Sequence, residues 1–127
     1  MLAVLGLVAG LVLARGPQRS ATLEMREAAT AVAQVMRVAR TRAIVTNRRV
    51  VVTLDPRTAT LRIGTETPRR LPAGIAMAVV STADVPGIAF LPDGSASGGR
   101  VELEAGGRRA QVGVDWLTGR VSVADGP

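Results

Sequence analysis

A chain of 127 residues has room for one small domain plus an appendage. With no Cys, His, Tyr or Lys, it excludes disulfides, thiolate and imidazole metal sites, Cys nucleophiles, Schiff bases and His general bases. All 16 basic residues are Arg, against 10 acids, and the resulting net charge of +6 lies wholly in residues 1–60, because residues 61–127 carry seven of each sign.

Arg-only usage fits an arginine-favouring coding bias, and it also suits phosphate recognition by guanidinium forks. With one Phe and one Trp, the chain lacks the array of rings on which nonspecific single-strand binders stack bases. From the first residue, Met1 to Ala14 carry no polar side chain. As a helix this run reaches ~21 Å, short of the ~30 Å hydrocarbon core of a bilayer, and it lacks the basic flank that precedes a signal-peptide core. Gly6 and Gly10 have the small-x-x-x-small spacing that permits close helix approach, although glycine is also simply tolerated in membrane helices. The run ends at Arg15-Gly16-Pro17, where Pro17 kinks a helix or starts a new one. A basic stretch just beyond a membrane helix suits an anionic lipid surface or an acidic partner.

From Ser20 the pattern becomes helical. Met25, Ala28, Ala29, Val32, Val35, Met36, Ala39 and Ala43 recur at three- and four-residue steps, with Arg26, Glu27, Thr30, Gln34, Arg37 and Thr41 mostly on the other side. The pattern predicts an amphipathic helix ending near Thr46-Asn47, with Glu24 and Glu27 early and Arg37, Arg40 and Arg42 late, as the helix dipole favours.

After Asn47 the period changes to two. Val50, Val52 and Leu54 share a strand face, Asp55 to Thr58 suits a type I turn, and Leu61 and Ile63 flank Arg62 on the return strand. "TPRRLPAG" reads as a loop, "IAMAVVS" as a strand and "ADVPG" as a turn. "GIAFLP" is a short strand and "DGSASGG" a flexible loop. "RVELEA" alternates, with Val101 and Leu103 inward, and Gly106-Gly107 suits a two-residue hairpin turn. Ala110, Val112, Val114 and Trp116 then share one face, Trp116 being expected in the core. "LTG" turns the chain, and Val121 and Val123 close inward. Seven strands follow the helix, with no internal repeat.

The helical stripe needs an apolar partner, and the sheet face is the large one available. The expected fold is therefore α+β: a long N-terminal helix packed on an antiparallel β-sheet domain. Its divisions are an apolar membrane or filament-core helix (1–14), an amphipathic helix (15–47) and an antiparallel β domain (48–127).

That layout resembles the type IV pilin plan. "FLPDGSASGGRVELEAGGRRAQVGVDWLTGRVSV", Phe90 to Val123, resembles the C-terminal region of minor pseudopilins of the GspH/FimT family. There an aromatic-x-Pro-x-Gly loop, a Gly-rich stretch, an alternating strand and a closing turn with Gly-Arg follow one another. "VAQVMRVARTRAIVTNRRVVVTLDP", Val32 to Pro56, resembles the family's passage from helix to first strand. The resemblance implies that Met1 follows a basic leader, a cleavage-site Gly and a Glu that stand upstream of this sequence, with Pro17 at the family's helix-kinking proline. It implies a structural subunit of the type II secretion pseudopilus, involved in protein export across the outer membrane, and not an enzyme. It further implies a single inner-membrane pass, a periplasmic β domain, other pseudopilins and secreted proteins as partners, and no cofactor. Membrane and filament packing would fall to Leu2, Val4, Leu5, Gly6, Leu7, Val8, Gly10, Leu11, Val12, Leu13 and Pro17.

The alternative is a FimT-like minor pilin of a type IV pilus or DNA-uptake system that binds DNA. Such relatives carry Gly-Arg-x-Arg in the closing turn, where this chain reads Gly119-Arg120-Val121-Ser122. Arg108, Arg109 and Arg120 are the candidate DNA or partner contacts, provided that they gather on one edge. Two further readings are a membrane-anchored β domain without a filament and an enzyme using Asp93, Ser95 or Asp115. No base is available to activate Ser95 or Ser97, and Asp93-Gly94 suits a turn.

Overall fold

The computed structural model describes the backbone of residues 2–81 and 87–126, and the side chains of 22–81 and 87–125. The packing residues expected from Leu2 to Pro17 thus lie outside the described side chains, and most of the "ADVPG" turn lies outside the described residues altogether. Among the described residues no helix is long and apolar enough to cross a membrane.

Helix α1 spans Leu2–Thr46, and its backbone stays helical through Pro17. It stops at Asn47, whose φ of +53° is left-handed, a conformation Asn tolerates better than most residues. The Arg48 amide then donates to the Ala43 carbonyl at 3.2 Å, the Schellman closure that satisfies one of the helix's last carbonyls. All eight stripe residues from Met25 to Ala43 are buried, and the six assigned to the opposite side are exposed.

Eight strands follow: β1 (Val50–Asp55), β2 (Thr60–Ile63), β3 (Arg69–Arg70), β4 (Ala76–Ser81), β5 (Gly87–Phe90), β6 (Gly99–Ala105), β7 (Arg108–Val114) and β8 (Val121–Gly126). They form two four-stranded antiparallel sheets, in the orders β3-β2-β1-β5 and β4-β6-β7-β8. Helix α1 lies across both, chiefly against β7, β1, β8 and β6. Phe90, Met36, Leu54, Leu61, Ile88, Leu103 and Val32 are fully buried between helix and sheets. Each such side chain contributes ~1.5–3 kcal/mol relative to leaving it in water.

Four expectations change. "TPRRLPAG" is not all loop, because Arg69 and Arg70 pair with Leu61 and Thr60 as an eighth strand. The expected flexible loop after Phe90 is tied down: Leu91 donates to Ser95 O at 2.9 Å, Ser97 to Ala89 O at 2.9 Å, and Ala96 to Trp116 O at 3.0 Å. Trp116 is 65% exposed rather than in the core, because β7 ends at Val114 and the alternation that would turn residue 116 inward ends with it. Val123 is 45% exposed: β8 is an edge strand, with β7 as its one neighbour in the sheet.

Candidate functional site

The β6–β7 hairpin sets the first cluster of Arg residues. Ala105 pairs with Arg108, leaving Gly106 and Gly107 as a two-residue loop. Both have positive φ (+55° and +77°), as a type I′ turn requires. Arg108 and Arg109 are exposed beside this turn and, with Thr22, Met25, Arg26 and Asp125, line a recess of about 120 Å³.

Arg120 belongs to the other end of the same ladder. Arg109 pairs with Gly126, whereas Val114 pairs with Val121. Five residue steps along β7 separate the two pairs, ~17 Å at strand rise. Arg108 and Arg109 therefore do not gather with Arg120 on one edge, contrary to the sequence expectation.

Arg120 instead stands beside Arg37 and Arg40. These two are one turn apart on α1, so they project to the same side. The three line an open groove of about 600 Å³ with Thr41, Thr118, Gly119 and Val121. Arg37 donates from Nη2 to the Val121 carbonyl at 3.4 Å, and Arg40 from Nε to the Gly94 carbonyl at 3.0 Å. No carboxylate lines the groove. Among the described residues the ion pairs are Arg42–Glu66 and Arg100–Glu102, neither involving these three guanidinium groups.

The turn that carries Arg120 is organised by Asp115. One carboxylate oxygen accepts the Leu117 amide at 2.8 Å and the Thr118 amide at 3.2 Å. The backbone closes around it: Gly119 N–H donates to Asp115 O at 2.8 Å, and Asp115 N–H to Arg120 O at 3.0 Å. This arrangement leaves Trp116 at 65% and Leu117 at 64% exposure. The signal available in the sequence was Asp115 itself, a residue that bonds amides further along the chain and so marks the turn two residues before "LTG".

The residues considered for catalysis are likewise turn formers. Asp93 Oδ1 accepts the Ser95 amide at 3.0 Å and the Ser95 hydroxyl at 2.6 Å. Those bonds, the hydroxyl's first, hold the Asp93 carboxyl below its ordinary value of 3.8. A carboxylate so stabilised is a weaker base, and the Ser95 proton points to it within a closed local turn. The arrangement orders a loop.

Residues 28–119 match the family model described as "Type II transport protein GspH". The matched span opens on the buried face of α1 and closes on the glycine of the Arg120 turn. No curated protein sequence matches the chain significantly. Among solved structures, the minor pseudopilin EpsH from the type 2 secretion system of Vibrio cholerae aligns with a TM-score of 0.68 at 15% identity, over 80% of this chain and 97% of that one. A second structure of the Vibrio cholerae protein gives 0.67 at 16% identity, over 82% and 96%. The type IV minor pilin FimU of Pseudomonas aeruginosa gives 0.66 at 15% identity, over 81% and 90%. At such identities the likeness is one of fold, and the fold is pilin-like.

Proposed function

This chain belongs to the GspH family of type II transport proteins, and from that membership we propose that it is a minor pseudopilin, a structural subunit of a type II secretion pseudopilus that takes part in protein export across the outer membrane. The observation that carries the reading is the family match across residues 28–119, together with a helix whose inner stripe is wholly occupied by its own sheets. The domain's own sheets thus hold α1 from Met25 to Ala43, and the apolar run before it is the part we assign to other chains or lipid.

The mechanism is assembly and not catalysis. Met1 to Ala14 rests in the inner membrane, with the β domain in the periplasm, and moves into the helical core of the filament. Lipid tails and neighbouring apolar helices are about equally apolar, so the transfer costs little hydrophobic energy, and packing decides its direction. Leu2, Val4, Leu5, Leu7, Val8, Leu11, Val12 and Leu13 supply the packing surface, Gly6 and Gly10 the close approach, and Pro17 the boundary.

The chain has no Cys, so a single introduced thiol reports one position. Leu13→Cys, expressed with the other pilin-like subunits of a type II secretion machinery, each given one Cys in its own N-terminal helix, should form disulfide cross-links to them when copper–phenanthroline oxidises the paired thiols, and deletion of the gene should lower export of the machinery's substrates. An absence of cross-links from several positions between residues 2 and 13, with export unchanged on deletion, would overturn the reading.

A further inference from the structure

The pole of the molecule at the C-terminal end of α1 carries three unusual features side by side. The only Trp of the chain is 65% exposed there, and the adjacent Leu117 is 64% exposed. The same turn runs on into the groove lined by Arg37, Arg40 and Arg120, where no carboxylate answers three guanidinium groups. The turn is held firmly. Asp115 binds two of its amides, and the Trp116 carbonyl accepts the Ala96 amide at 3.0 Å. Gly98 lies directly beneath the ring's base, where a β-carbon would come within 2.9 Å of the Trp116 β-carbon. Ile44, 43% exposed in the last turn of α1, extends the apolar surface towards Gly94.

We propose that this pole is a docking surface for an acidic segment of a second protein, one that sets an apolar side chain against Trp116 and Leu117 and carboxylates into the Arg37–Arg40–Arg120 groove. The inference rests on the reading that the chain works by assembling with other proteins. Charge complementarity specifies the partner. Three guanidinium groups sharing a groove repel one another, and carboxylates relieve that repulsion with charge-assisted hydrogen bonds. Trp and Arg are the side chains that most often dominate protein interfaces, and a preorganised turn loses little entropy when it binds. A nucleic acid fits less well. Leu117 offers no face for stacking, and there is one ring where single-strand binders use several.

Because Trp116 is the sole Trp, its emission reads the surface directly. The full chain in phosphatidylcholine vesicles, which contribute no Trp, is titrated with a Trp-free dodecapeptide of alternating Glu and Leu, with the same peptide carrying Lys for Glu, and with a twelve-nucleotide oligothymidylate. The Glu peptide should shift the emission to the blue and cut acrylamide quenching several-fold. Arg120→Glu and Leu117→Ser, both at exposed positions, should each weaken its binding at least tenfold while the circular dichroism spectrum stays unchanged. A response equal to the Lys peptide, no response to the Glu peptide, or tighter binding of oligothymidylate overturns the proposal. The Leu13→Cys cross-link separates this failure from that of the assembly reading: if it forms while the Glu peptide is silent, the pole alone is refuted, and if it is lost, assembly itself is.

Discussion

A β-carbon on Gly119 would lie 2.0 Å from the Gly94 carbonyl oxygen and 2.8 Å from Arg40 Nε, at a φ of +69°. Helix, loop and turn meet at that point, and the Arg40 side chain fills the gap between two glycine backbones. Gly119→Ala therefore combines left-handed strain with a collision against backbone, and should cost ~3 kcal/mol or more. Gly106, at a φ of +55° with nothing near its missing β-carbon, is the control, where Ala should cost only the left-handed penalty of ~1–2 kcal/mol. Thermal unfolding of the two variants should differ by several degrees in Tm, with Gly119→Ala the lower. Asp93 gives a second residue-scale prediction. Its carboxyl titrates below 3.8 because the Ser95 hydroxyl and amide bind the ionised form. The loop contact is thus fully present above that ordinary value and is lost as pH falls through the lower folded one. Ser95→Ala removes the largest cause, and NMR titration of the Asp93 carboxyl carbon should then move up towards 3.8. Asp93 was legible as a turn residue, whereas the alternation reads Asp115 into a strand running on to Trp116, although its type suits a turn. That Asp115 leaves Trp116 in water was not legible, because the strand ends at Val114, before the alternation in the sequence does.

At the scale of elements, the stripe on α1 was readable because a packed helix must bury a face every 3.6 residues, and Ala at 28, 29, 39 and 43 lets that face approach the sheets closely. Ala39 is 0% exposed, so Ala39→Leu must push helix from sheet or bend its own side chain out of a rotamer. It should destabilise by ~1–3 kcal/mol, measurable as a lower urea midpoint with an unchanged m-value, whereas Thr41→Leu on the exposed side should be near neutral. Strand β3 could not be read from side chains. It is two exposed Arg residues held to β2 through backbone groups, with no alternation to announce them. The loop from Leu91 to Gly98 looked flexible by composition. Its order comes from amides and carbonyls that bond within the loop, back to strand β5 and on to the turn at Trp116, and composition does not announce such backbone pairings.

For the whole molecule, the distribution of charge decides what large ligands it can hold. The charge excess lies in residues 1–60, and of its Arg residues the fold sets Arg26 beside Arg108 and Arg109, and Arg37 and Arg40 beside Arg120. No broad basic track joins these two groups on β7, whose register keeps them at opposite ends. Since about three Arg side chains share the groove, any binding to duplex DNA should show a shallow salt dependence, with a log–log slope no steeper than roughly −3. A gel-shift titration from low to physiological salt checks this, and a slope near −6 would mean that both clusters contact one duplex.

Composition, periodicity and turn chemistry determined by themselves the class of fold, the helical face that is buried, most of the strands and the absence of thiol, imidazole and amine chemistry. These are local properties, since each residue's preference and its repeat along the chain already state which side must leave water. The tertiary structure decided which Arg residues are neighbours and which large apolar side chain stays outside. Arg37 and Arg120 are 83 positions apart in the chain yet share a groove, because β8 returns antiparallel to β7 beneath α1. Such proximity depends on register and crossing between distant segments, and no window of sequence contains it.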